Sequence, residues 1–177
     1  AWTGMARAEY QVAEGLRLYA GWSRGRKNGG FNLDRGQTNR VPDASRAFGA
    51  ETADAWEAGV KSVMQDRRLL VSAAAFRQTY DDFQLNTFLG TTFLVRSIPE
   101  VRAKGVEADF MFLPVEGLSL QGGVTYAQTE YGHDPIAGLP LLAGRRLNFA
   151  PLWSGSLAGT YERPVGAGLT GRVTLAG

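Results

Sequence analysis

Long segments in which apolar and polar side chains alternate with a period of two run through most of this sequence. That pattern gives an extended chain one apolar and one polar face, and it rules out a helical build. Leu118, Leu120, Gly122, Val124 and Tyr126 fall on one side of such a segment, opposite Ser119, Gln121, Gly123, Thr125 and Ala127. Leu16, Leu18, Ala20 and Trp22 likewise oppose Arg17, Tyr19, Gly21 and Ser23. Trp56, Ala58, Val60 and Met64 oppose Glu57, Gly59 and Lys61, and Val106, Ala108, Phe110 and Phe112 oppose Gly105, Glu107 and Asp109. Leu169, Val173 and Leu175 stand against Thr170, Arg172 and Thr174. The contrast is weaker over residues 69–85, where Val71, Ala73 and Ala75 alternate with Ala74, Phe76 and Tyr80.

The pattern predicts strands at about 1–10, 16–27, 54–64, 69–86, 93–113, 118–131, 149–163 and 169–177. Their connectors alternate in length. Residues 12–15, 65–68, 114–117 and 164–168 are short turns with Gly, Pro or acidic residues, whereas 28–53 and 132–148 are long and polar, and 87–92 is intermediate. Short turns at one end and long loops at the other describe an antiparallel up-and-down meander of about eight strands. A soluble sandwich is a poor fit, because its strands average about five or six residues. A transmembrane barrel needs about 9 to 11 tilted residues per strand, with an apolar outer face and a lumen that tolerates Glu57, Lys61, Glu107, Asp109 and Arg172. Pro99 then belongs to a part of its strand that projects beyond the lipid.

Composition removes other classes. There is no cysteine and His133 is the only histidine, which excludes disulfide scaffolds, thiol catalysis and cysteine-ligated zinc; no metal site or cofactor is expected. Nineteen basic and seventeen acidic side chains leave a net charge of +2, so nothing draws the chain to nucleic acid. No apolar run approaches the roughly 18 residues of a membrane helix. The first ten residues lack the apolar core of a signal peptide, which leaves a cytoplasmic chain or one whose N-terminal region lies elsewhere.

Tyr19-Ala20-Gly21-Trp22-Ser23-Arg24-Gly25-Arg26-Lys27-Asn28-Gly29-Gly30-Phe31-Asn32 resembles the Y-A-x-x-S-x-G-x-K-x-G-G-F-N segment of TonB-dependent outer-membrane receptors. Trp56-Glu57-Ala58-Gly59-Val60-Lys61-Ser62 is similar to Y-E-x-G-x-K-S, and Leu69 to Tyr80 resembles the strand that follows. Lys104-Gly105-Val106-Glu107-Ala108, then Gly117-Leu118-Ser119-Leu120, then Ala150-Pro151 with Ser154 to Tyr161, follow in family order. The resemblance implies a barrel of about 22 strands closed around an N-terminal plug, driven by the TonB complex and importing a scarce small-molecule cargo such as a ferric siderophore. It implies a Gram-negative outer-membrane location, with lipid and lipopolysaccharide around the barrel. Residues 1–177 are then expected to be a partial barrel domain from the C-terminal half, without plug, TonB-binding segment or final strands.

No catalytic residue is expected. Arg24, Arg26, Lys27, Arg35, Arg40 and Arg46 in and beside the first long loop, and Tyr131 and His133 at the other, are the candidate ligand contacts, since cationic donors suit an anionic iron chelate. Two rival readings make different structural demands. A complete eight-stranded barrel with a structural or adhesion role needs residues 1–10 to pair with 169–177. A barrel-mouth hydrolase needs His133 within hydrogen-bond reach of a carboxylate. Gly166-Ala167-Gly168-Leu169-Thr170-Gly171 fits G-x-G-x-x-G but reads as a hairpin turn, because no helix follows. Glu57, Lys61 and Glu107 are expected to form ion pairs across neighbouring strands or with the plug. Trp22, Trp56, Tyr126 and Trp153 are expected in an interfacial aromatic belt.

Overall fold

The computed structural model describes residues 2–32, 46–88, 93–136 and 139–177. Eight long strands form one antiparallel sheet: β1 (Gly4–Ala13), β2 (Leu16–Lys27), β5 (Glu51–Met64), β6 (Leu69–Phe88), β7 (Phe93–Phe112), β8 (Leu118–Tyr131), β9 (Trp153–Gly166) and β10 (Leu169–Ala176). Each lies beside its sequence neighbour, in the order β1-β2-β5-β6-β7-β8-β9-β10. A short pair, β3 (Gly30–Phe31) and β4 (Ala47–Phe48), stands at the foot of the first long connector. The sheet is open: β1 and β10 are its two edges and share no ladder. The small closed barrel is thereby overturned, since closure requires that ladder.

The turns explain two shifted boundaries. Gly15 takes a φ of +73° and closes a two-residue turn, so Val12, unpaired at a bulge, and Ala13 stay in β1 rather than forming part of the turn. Gly117 repeats the device with a φ of +79°. In both cases the glycine carbonyl accepts from the next strand, from the Val63 and Glu162 amides at 2.7 Å. A side chain on either glycine would strike that strand's backbone at 2.3 or 2.2 Å. β9 begins at Trp153 rather than 149 because Phe149 has a left-handed φ of +59° and Pro151 has no amide to donate.

Register assigns the faces, since residues directly opposite in an antiparallel ladder point the same way. Leu18, Val60, Ala73, Ala108, Val124 and Gly155 form one continuous row, and Ala20, Ala58, Ala75, Val106, Tyr126 and Trp153 the next. Arg17, Lys61, Ser72, Asp109, Gly123 and Ser156 form a row of the opposite face. The expected division of apolar from polar positions therefore holds across the sheet. Open hollows of about 1050 and 650 Å³, lined by Gln11, Arg17 and Lys61 and by Ser72, Asp109 and Gln121, lie on the polar side, so that face is the concave one.

No second layer covers the sheet among the described residues. Trp56, Val106, Val124, Trp153, Leu157, Val173 and Leu175, all on the apolar face, are between 47 and 75% exposed. A folded domain in water covers such a surface, so this one is built for an apolar surrounding. The buried core is instead a small knot at the loop end. Ile98, Val101, Tyr131 and Ile136 form it, with Tyr80, Phe83, Leu85, Leu139, Leu142 and Leu147 packed around them.

Candidate functional site

The long connectors emerge together at one end of the sheet, beyond a band of aromatics on the apolar face. Trp2, Trp22 and Trp56 make a chain of ring contacts at 5.5 and 6.1 Å, and Tyr126 and Trp153 meet at 4.9 Å. From the Trp56 row to the Met64 row at the turns is nine residues, the length of one tilted bilayer crossing. β6 and β7 run well past this band as a two-stranded hairpin. Asp82, with a φ of +54°, and Pro99 face each other in it and interrupt the ladder between the Asp81–Glu100 and Phe83–Ile98 pairs. β8 pairs with β7 only as far as Val101, so Pro99 does lie in the projecting part, beyond the β7–β8 ladder.

Polar side chains pin the foot of the first loop to this hairpin. The Asn32 side chain imitates a strand, donating to the Val95 carbonyl at 3.0 Å and accepting from its amide at 2.9 Å. Gln84 donates to the Asn28 and Gly49 carbonyls at 2.9 and 3.0 Å, and the Gly49 amide donates to Ser97 at 3.0 Å. The Asn32 amide also donates to the Arg46 carbonyl at 2.7 Å, which closes the loop at its neck. The second loop is folded back by apolar packing of Ile136, Leu139, Leu142 and Leu147 on the knot. Backbone bonds from Tyr131 to Arg145 and from Gly144 to Gly132 hold its two limbs together.

The candidate contacts divide among these places. Arg24 lies in register with Asp54, on the same face as Trp22, and pairs with both carboxylate oxygens while its guanidinium sits 5.1 Å from the Trp2 ring. That pairing raises the Arg24 pKa and holds Asp54 below the usual carboxylate range. Arg26 is exposed on the same face, opposite Thr52, whereas Lys27 is exposed at the strand end opposite Glu51. Arg46 is exposed at the loop neck. Tyr131 is 4% exposed in the knot, where burial pushes its hydroxyl pKa up. His133 is exposed, with Gly144 alongside. Arg35 and Arg40 lie outside the described residues. Among the described residues His133 has no carboxylate partner, so the condition set by the hydrolase reading is not met.

Sequence reasoning missed the pinning role of Asn32 and Gln84. The Gly-Gly-Phe-Asn run marked the place, but an amide acting on a backbone 63 residues away leaves no local signal. Among the described residues Glu57, Lys61 and Glu107 form no ion pair with one another, so of their two expected partnerships the cross-strand one is not met. On the polar face, Glu9 takes both Arg7 and Arg17, at 2.9 and 3.2 Å, and Arg172 pairs with Glu162. Lys61 sits 5.5 Å from the Tyr19 ring, which also carries Arg7 at 4.3 Å.

An open wall with one apolar face, one polar concave face and loops gathered at one end, bare of a second layer among the described residues, has the architecture of a membrane β-barrel wall. The chain belongs to the TonB-dependent receptor-like β-barrel family, whose model matches residues 1–177. It is 30% identical over 154 residues to the metal-pseudopaline receptor CntO of Pseudomonas aeruginosa (strain UCBPP-PA14), covering 86% of this chain and 20% of that protein. The fold superposes on the ferric yersiniabactin uptake receptor FyuA from Yersinia pestis with a TM-score of 0.74 at 22% identity, covering 98% of this chain and 25% of that one. The ferripyoverdine receptor of the Pseudomonas aeruginosa outer membrane gives 0.65 at 19% identity, over 93% of this chain and 21% of that one. This chain thus spans about a fifth of the length of the curated relatives it matches. All three relatives are receptors by name, FyuA an uptake receptor, and the family is one of outer-membrane barrels.

Proposed function

We propose that this chain is part of the wall and mouth of a multi-pass receptor in a Gram-negative outer membrane, one that captures a metal–chelator complex such as a ferric siderophore. The observation that carries the reading is the unlayered sheet, apolar outside and polar within, matching the receptor-barrel family along its whole length. Lipid and lipopolysaccharide surround the apolar face. Uptake draws energy from the TonB complex through a plug and TonB-contacting segment carried by other parts of a longer protein.

At the mouth, Arg26, Lys27, Arg46 and His133, with Arg35 and Arg40 of the first loop, supply hydrogen-bond donors to an anionic chelate. Arg24 is engaged by Asp54 and Tyr131 holds the second loop in place, so both serve the site indirectly. The test is a deletion of residues 33–45 in the full-length receptor, which joins Asn32 to its hydrogen-bonded neighbour Arg46 and keeps the β3–β4 pair. Binding and uptake of radiolabelled metal chelate by whole cells should fall while barrel insertion is retained. Unchanged binding and uptake would overturn the assignment of capture to this loop.

A further inference from the structure

We propose that Arg77 and Lys104 form a site on the apolar wall for the phosphate of a membrane lipid headgroup; the inference rests on the wall being membrane-spanning. The two residues stand directly opposite each other in the β6–β7 ladder, within the row Trp22, Trp56, Arg77, Lys104 and Gln128. Register therefore sends both cations out of the apolar face at the level of the aromatic belt. One row toward the turns the face is Ala75 and Val106, so the pair sits where the apolar band ends.

Cross-strand partners lie about 5 Å apart, and like charges directly opposite destabilise a sheet. The fold answers neighbouring cations on this face with carboxylates: Asp54 takes Arg24, and Glu100 takes Arg102 at 2.7 Å. Arg77 and Lys104 are left without a hydrogen bond or ion pair among the described residues, and both are exposed. An anion between them turns the repulsion into two attractions. Its chemistry follows from the surroundings. A guanidinium fork beside an ammonium suits phosphate oxygens, and the bare apolar strip of Ala75, Val106 and Val124 beneath suits the acyl chains of the same molecule. Free phosphate uses only the first half of that surface. Trp56, in the same row, gives the headgroup an amphipathic flank.

Native mass spectrometry of the full-length receptor, delipidated and reloaded, tests this with diphosphorylated lipid A, the same glycolipid stripped of its phosphates, and inorganic phosphate. The unaltered receptor should retain the phosphorylated lipid about tenfold or more better than the dephosphorylated one. The double variant Arg77→Gln, Lys104→Gln should lose that preference, and Arg17→Gln on the polar face should keep it. The comparison of the two lipids needs no variant, so it stands if the double variant fails to fold. Equal retention of both lipids by the unaltered receptor, an unchanged preference in a folded double variant, or complete displacement by inorganic phosphate would each overturn the site. The readout is independent of metal-chelate uptake, so loss of one reading leaves the other standing.

Discussion

A buried charge probes the two faces most directly, and Val60 is the place to put it. Val60 lies four residues from Trp56 and four from Met64, midway along the nine-residue band, with Leu18 and Ala73 opposite it. Four residues of strand are about 13 Å, and a tilt of about 40° leaves roughly 10 Å of depth to either boundary. An arginine there finds no carboxylate in its row and cannot bring its whole head out to the belt. Val60→Arg should therefore cost about 2 to 4 kcal/mol, or roughly 30- to 1000-fold in the folding equilibrium. Met64→Arg, at the band's edge, should cost about 0 to 1 kcal/mol. Gln121→Arg, on the concave polar face, should cost little. Reversible denaturant unfolding of the full-length receptor in lipid vesicles, followed by tryptophan fluorescence, measures all three. Equal costs for Val60→Arg and Gln121→Arg would refute the face assignment, and equal costs for Val60→Arg and Met64→Arg would refute the depth.

Three further outcomes follow from the loop end. Asp81, beyond the belt, has its pKa raised by burial and by Glu100 opposite it, so it favours the fold when protonated and opposes it as pH rises through its folded-state value. Asp81→Asn should thus stabilise the receptor at neutral pH, and the gain over the unaltered protein should vanish below about pH 4 in unfolding measurements. Ile98→Ala removes a fully buried side chain from the knot and should cost about 2 to 5 kcal/mol, with faster amide exchange across residues 139–148. Asn32→Ala removes both bonds to Val95 and should cost about 1 kcal/mol, seen as faster exchange at Val95 and residues 28–32 with strand exchange below the belt unchanged.

The strands were legible because a period-two pattern over a long segment has few other solutions, and because Gly15 and Gly117 punctuate it where backbone sterics demand. The faces were legible for the same reason, even where Val71, Ala73 and Ala75 gave little contrast. What the pattern could not supply was partnership. Arg24 read as a loop cation because Asp54 lies 30 residues away, and Tyr131 read as a ligand contact because Ile98, Val101 and Ile136 reach it only through the fold. Pairing of Glu9 with Arg7 and Arg17 on the polar face was equally a matter of geometry rather than spacing.

The β6–β7 hairpin continues eleven residues from the Arg77–Lys104 row to the Phe88–Phe93 pair. That is about 36 Å along the strand and roughly 28 Å of height at a tilt of about 40°. On the proposed orientation it is a mast, and its two exposed phenylalanine rings, 5.0 Å apart, ride near the masthead. On that orientation such a tip stands clear of the headgroups, where a soluble probe added from outside reaches both rings. The same reach makes it a good place for a fluorophore on living cells: a reporter fixed at residue 88 or 93 watches the mouth from outside while the lipid-facing strands stay untouched.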